Sequence, residues 1–67
     1  MEASWFEERR IPPERALQYA DACVKGEVKS LDALEGLLDD EWFKKTFSLP
    51  GDQGEIRFFF KNQRQGS

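Results

Sequence analysis

Side chains able to do chemistry are few in this 67-residue chain, and their spacing does not gather them into a reactive group. There is no histidine, so the commonest general base and the commonest metal ligand are both missing. Cys23 is the single cysteine, which excludes an intramolecular disulfide and a cysteine-based zinc cluster. The densest ionisable run is Asp39, Asp40 and Glu41. Three carboxylates at a helix start are read as caps and as partners of the helix dipole before they are read as a catalytic pair. Gly51 and Gly54 lack the Lys and Ser/Thr that a phosphate loop requires. A domain of this size also rarely encloses a substrate pocket. The residues predict no catalytic site, no cofactor and no metal: not an enzyme.

What remains is a surface, and the elements that carry it follow from composition and pattern. The length suits one domain over residues 1–67, with an ordered part from about residue 5 to residue 61. Hydrophobic residues are 39% and charged residues 34%, an ordinary globular balance. A core this small leaves about 3–5 kcal/mol of net stability. A lone thiol suits a reducing compartment. No apolar run approaches the roughly 18 residues of a membrane span, and no signal-peptide core is visible, so the expected location is cytoplasmic or nuclear.

Trp5 and Phe6 with the charged run to Arg10 predict one short helical turn that ends at Ile11, because Pro12 moves Ile11 out of the helical region. Pro13 suits a first helical position, with Glu14 in the first turn. Ala16, Leu17, Ala20, Cys23 and Val24 then recur at three- and four-residue steps as an apolar face, and Gly26 is the expected left-handed residue after it. Ser30 caps a third helix carrying Leu31, Leu34, Leu37 and Leu38, weakened by Gly36. Asp39 or Asp40 caps a fourth with Trp42, Phe43 and Phe47, and Lys44 and Lys45 outside. The Leu49-Pro50-Gly51 break follows, after which Asp52 and Glu55 have the spacing of a capping box. Ile56, Phe59 and Phe60 form a helical stripe, while Ile56, Phe58 and Phe60 alternate as a strand would. No second alternating run exists for such a strand to pair with, so helix is the preferred reading. From Asn62 to Ser67 the chain is polar and expected to fray. The predicted core is Leu17, Ala20, Val24, Leu34, Phe43, Phe47, Ile56 and Phe60, with Trp42 and Phe58 as candidates for exposed contacts.

The order of these elements resembles a sterile alpha motif (SAM) domain. The likeness is carried by Trp5-Phe6, Ile11-Pro12-Pro13-Glu14, Ala16 to Ala20, Val24, Ser30-Leu31 and Leu34. It continues through Asp40-Glu41, Phe47-Ser48-Leu49, and Gly51 with Ile56. It runs from about Trp5 to Phe60 and rests on the sequence and spacing of individually soft motifs. The same apolar faces and caps would serve another small helical bundle. The resemblance implies an all-α, five-helix bundle that works by protein–protein association.

In the SAM family an acidic middle surface commonly meets the start of the fifth helix of another domain. The matching acidic residues here are Asp32, Glu35, Asp39, Asp40 and Glu41, with Trp42 beside them. At the start of the last helix stand Gly51, Asp52, Gln53 and Glu55, where basic residues are usual, and Arg57 is the nearest base. Two acidic faces repel, so the chain is expected to be largely monomeric alone and to pair with another SAM domain or a basic helical surface. A homo-oligomerising scaffold is the alternative. RNA binding through Lys44, Lys45, Lys61 and Arg64 is disfavoured by the net charge of −3. Such a module belongs in a larger signalling or scaffold protein.

Overall fold

The computed structural model describes the backbone of residues 2–65 and the side chains of residues 2–63. Five helices follow in order: α1 (Ala3–Glu7), α2 (Pro13–Lys25), α3 (Leu31–Gly36), α4 (Glu41–Thr46) and α5 (Pro50–Gln65). No strand occurs among the described residues, and Ile56 to Phe60 are helical. The fold is an all-α five-helix bundle with a Cα radius of gyration of 11.0 Å, close to the roughly 11 Å expected for one compact unit of this length. Helical backbone continues to Gln65, past the Asn62 where the sequence suggests fraying, and residues 66 and 67 lie outside the described part.

The turns show why the short helices stop where they do. After α1, Arg10 takes φ 67°, the N–H of Ile11 donates to the Phe6 carbonyl at 3.3 Å, and that of Arg10 donates to Glu7 at 3.1 Å. This is the paired-bond Schellman ending, closed by contact between an apolar residue after the turn and one in the last turn. Ile11 and Phe6 are that pair, and both are buried. The same ending recurs after α2. Glu27 takes φ 60°, Val28 donates to Cys23 at 2.8 Å, and Glu27 donates to Val24 at 3.2 Å.

The expectation that Gly26 is left-handed is therefore wrong by one residue: its φ is −88°. Gly26 serves a different purpose. A Cβ there would stand 3.1 Å from Nε1 of Trp42 and 3.3 Å from its Cε2, so the missing side chain is what lets the indole pack against the end of α2.

Ser30 caps α3, accepting from the Ala33 N–H at 3.2 Å, and Asp40 caps α4, accepting from the Trp42 N–H at 2.8 Å. Both caps were legible in the sequence. The Asp52–Glu55 capping box was not correct. Pro50 occupies the first position of α5, where its missing N–H costs nothing. The helix thus begins three residues early and carries Asp52 into its first turn.

The core joins Phe6 of α1, and Ile11 and Val28 from the turns, to Ala16, Tyr19 and Cys23 of α2, with Leu34, Phe43, Phe47, Ile56 and Phe60 from the rest of the chain. Aromatic rings dominate it. Tyr19 lies 4.5 Å from Phe47, Phe43 4.8 Å from Phe47, and Phe6 5.7 Å from Tyr19, centroid to centroid. Leu34, Phe43, Phe47, Ile56 and Phe60 are buried as predicted. Leu17 and Val24 are not: they are 64% and 65% exposed, and Ala20 is half-buried. Helix α2 instead turns Ala16, Tyr19 and Cys23 inward. A tyrosine ring buries more area than a leucine and adds ring contacts of about 0.5–1.5 kcal/mol, and its hydroxyl finds a partner, as described next.

Candidate protein-binding surfaces

Asp52 is the buried charge among the described residues, 5% exposed. Arg15 grips it with both ends of its guanidinium fork: Nε donates to Oδ2 at 2.9 Å and Nη2 to Oδ1 at 3.2 Å. The Tyr19 hydroxyl donates to Oδ2 as well. One carboxylate on α5 thus receives three donors from α2, and its place in the first helical turn adds the attraction of the helix dipole. Burial, reinforced by the bond to Asp52, pushes the Tyr19 hydroxyl up to about 12 from its usual 10. The hydrogen bond to Asp52 likewise raises Arg15. Residues Arg15, Tyr19 and Asp52 form a clamp between two helices. Sequence reasoning placed Asp52 on the contact surface, and its carboxylate is turned into the fold. The signal that could have found the clamp is the i, i+4 spacing of Arg15 and Tyr19, which puts both on one side of α2.

The other residues expected at the start of α5 lie differently. Gly51 is exposed, and Gln53 and Glu55 are half-buried. The Gln53 side-chain amide donates to the Phe47 carbonyl, which fastens the α4–α5 turn.

Among the acidic mid-region residues, Asp32, Asp39, Asp40 and Glu41 are exposed and Glu35 is half-buried. The acidic edge of α3 and α4 is thus open to solvent. Arg57 reaches it from α5: its Nη2 donates to the Leu38 carbonyl at 2.7 Å, Nη1 lies 3.5 Å from Asp39, and the guanidinium sits 5.1 Å over the Phe43 ring. The base nearest the start of α5 is therefore committed within its own domain. Trp42 is half-buried, edge-on to Phe47 at 6.0 Å and against Gly26, so it supports this surface more than it projects from it.

A third surface escaped the sequence reading. A groove of about 600 Å³ runs between α5 and the turn after α1, with Glu8, Arg9 and Arg10 on one wall and Glu55, Phe58 and Phe59 on the other. Arg9 stacks 5.2 Å over Trp5 and 4.4 Å over Phe59, with Glu8 3.6 Å away. Phe58 is 61% exposed, in line with its place off the main stripe.

Lys44, Lys45 and Lys61 are exposed, while the side chain of Arg64 lies outside the described residues. No group of three or more His, Cys, Asp or Glu arranged to hold a metal occurs among the described residues. No described helix is long and apolar enough to cross a membrane. Compared with known protein families, curated proteins and solved structures, the chain matches none.

Proposed function

We propose that this chain is a protein–protein interaction module of the SAM type, not a catalyst, and that its partner is another SAM domain or a basic helical surface. The observation that carries the reading is an asymmetry of charge. Asp32, Asp39, Asp40 and Glu41 are exposed on one edge. The cations that could answer them at the start of α5 are held inside the domain, Arg57 of α5 by Leu38 and Asp39 and the adjoining Arg15 of α2 by Asp52. An acidic face that meets no free base at the start of α5 favours a different, basic partner over head-to-tail self-association. The helix order supports the family reading: a short first helix, a long second, two short helices between, and the longest last.

Titration with a SAM domain whose fifth helix starts with lysines or arginines tests this. A one-to-one complex that weakens with salt and is lost in Asp40→Lys/Glu41→Lys is expected. Binding indifferent to both salt and the charge reversal would overturn the reading. Salt-sensitive capture of an RNA hairpin in its place would move the function to the exposed Lys44, Lys45 and Lys61.

A further inference from the structure

The groove between α5 and the turn after α1 is independent of the acidic edge, and its occupant can be argued from its own charges. Phe58 stands 61% exposed at its wall beside half-buried Phe59. An exposed aromatic at the mouth of an open groove is the kind of apolar surface that marks a contact site. Arg9 sits over the rings of both Trp5 and Phe59 and faces Glu8. That leaves Arg10 on one wall and Glu55 on the other, neither with a hydrogen-bond or ion-pair partner among the described residues.

Among the described residues, the charged side chains that line the groove are two arginines and two glutamates, which balance on a chain of net charge −3. A basic ligand meets Glu55 there, and an acidic one meets Arg10. Only an occupant bearing both signs in reversed places satisfies both walls. A second copy related by a two-fold axis does this by construction, because each residue i that meets j is matched by j meeting i.

We infer that this face is a self-complementary contact through which two copies of the chain pair, each placing Phe58 in the groove of the other, with Arg10 of each copy facing Glu55 of its mate. Two-fold pairing uses the same patch on both copies, so it closes at two and makes no filament. The patch is far smaller than the roughly 20–30 residues a side of a stable complex. The dimer is therefore weak, the chain is monomeric when dilute, and the acidic edges stay free for other partners.

Sedimentation of the whole chain from about 10 µM to about 1 mM covers the range of such an affinity. The average mass is expected to rise with concentration and level off at twice the monomer. Phe58→Asp, at an exposed position, should keep the helical spectrum and melting temperature and remain monomeric throughout. Arg10→Glu and Glu55→Arg alone should each weaken pairing at least several-fold, and the double variant should recover it, since reversing both charges restores the match. A parent chain monomeric at the highest concentration, or one whose mass passes beyond two, overturns the proposal. So does a Phe58→Asp variant that pairs like the parent, or a double variant no better than the singles. Asp40→Lys/Glu41→Lys should leave this pairing intact while abolishing capture of the basic partner, which separates failure of this inference from failure of the acidic-edge reading.

Discussion

Gly26 and Glu27 are neighbours, and both positions favour glycine over a side chain, each for a different physical reason. Glu27 holds φ 60° and is exposed. A left-handed conformation costs a residue with a Cβ roughly 1–2 kcal/mol. Glycine there removes the penalty but returns about 0.4–1 kcal/mol through the greater freedom of the unfolded chain. Glu27→Gly should therefore stabilise by about 0.5–1 kcal/mol, with a gain of about 4–8 °C in melting temperature for each kcal/mol in a domain this small. Gly26 has φ −88°, which alanine adopts without strain, so by backbone alone Gly26→Ala should also stabilise. The new Cβ, however, meets Trp42 at 3.1 Å, and relieving such overpacking costs about 1–3 kcal/mol. A net loss of about 1 kcal/mol is expected. Urea unfolding followed by far-ultraviolet circular dichroism measures both, and Trp42→Leu provides the control. With the indole gone, Gly26→Ala should become neutral or stabilising, a coupling that a double-mutant cycle isolates. If Glu27→Gly destabilises the parent and Gly26→Ala still destabilises the chain with Trp42 replaced by leucine, the left-handed residue is Gly26 after all, and both the Schellman ending and the Trp42 contact are misassigned.

Three further outcomes follow from the packing. Leu34→Ala, at a fully buried site, should cost about 2–5 kcal/mol and leave the chain largely unfolded in thermal melts; a parent-like melt refutes the placement of α3. Leu17→Gln and Val24→Gln should each fall within about 0.5 kcal/mol of the parent, and losses on the scale of Leu34→Ala would show that α2 is rotated from the register described. Tyr19 is the sole tyrosine, so phenolate absorbance reads it alone. Because its folded pKa of about 12 lies above the ordinary 10, its contribution is complete below pH 10 and is lost as pH rises to about 12. Absorbance that titrates at the ordinary value in the folded chain, or a Tyr19→Phe variant with the same alkaline loss of stability, would refute the clamp.

The parts of the fold that were legible in the sequence rest on local physics. Ser30 and Asp40 cap because a short polar side chain can reach an N–H two or three residues ahead, and that geometry needs nothing from the rest of the chain. Pro12 and Pro13 placed the start of α2 for the same reason. The register of α2 was not local. Leu17, Ala20 and Val24 make as regular a stripe as Ala16, Tyr19 and Cys23, one residue apart, and periodicity alone cannot choose between them. The choice is made by Asp52, 33 residues beyond Tyr19, whose buried carboxylate is satisfied only when Arg15 and Tyr19 face it. The left-handed residue after α2 was misplaced because glycine was read for its conformational freedom, when the close approach of Trp42 is what requires it.

The inward turn of Asp52 also reshapes the argument about association. Counted as a surface charge, it makes the start of α5 acidic. Held by Arg15 and Tyr19, it contributes little field outside, and Asp52→Lys would set an ammonium against Arg15 with no carboxylate to receive either cation. Such a substitution tests folding before it tests contact, because a buried charge stripped of its partner is strongly destabilising. The charge that remains addressable on α5 is Glu55, half-buried and lining the groove beside Phe58, so reversing it alters the groove while the clamp stays in place. Substitutions at Asp40 and Glu41 act on the opposite account: both are exposed, and although Asp40 also caps α4, neither is tied to another helix. A difference in partner binding after changes there reports the acidic edge itself, provided the cap lost at Asp40, worth about 1 kcal/mol, leaves the domain folded.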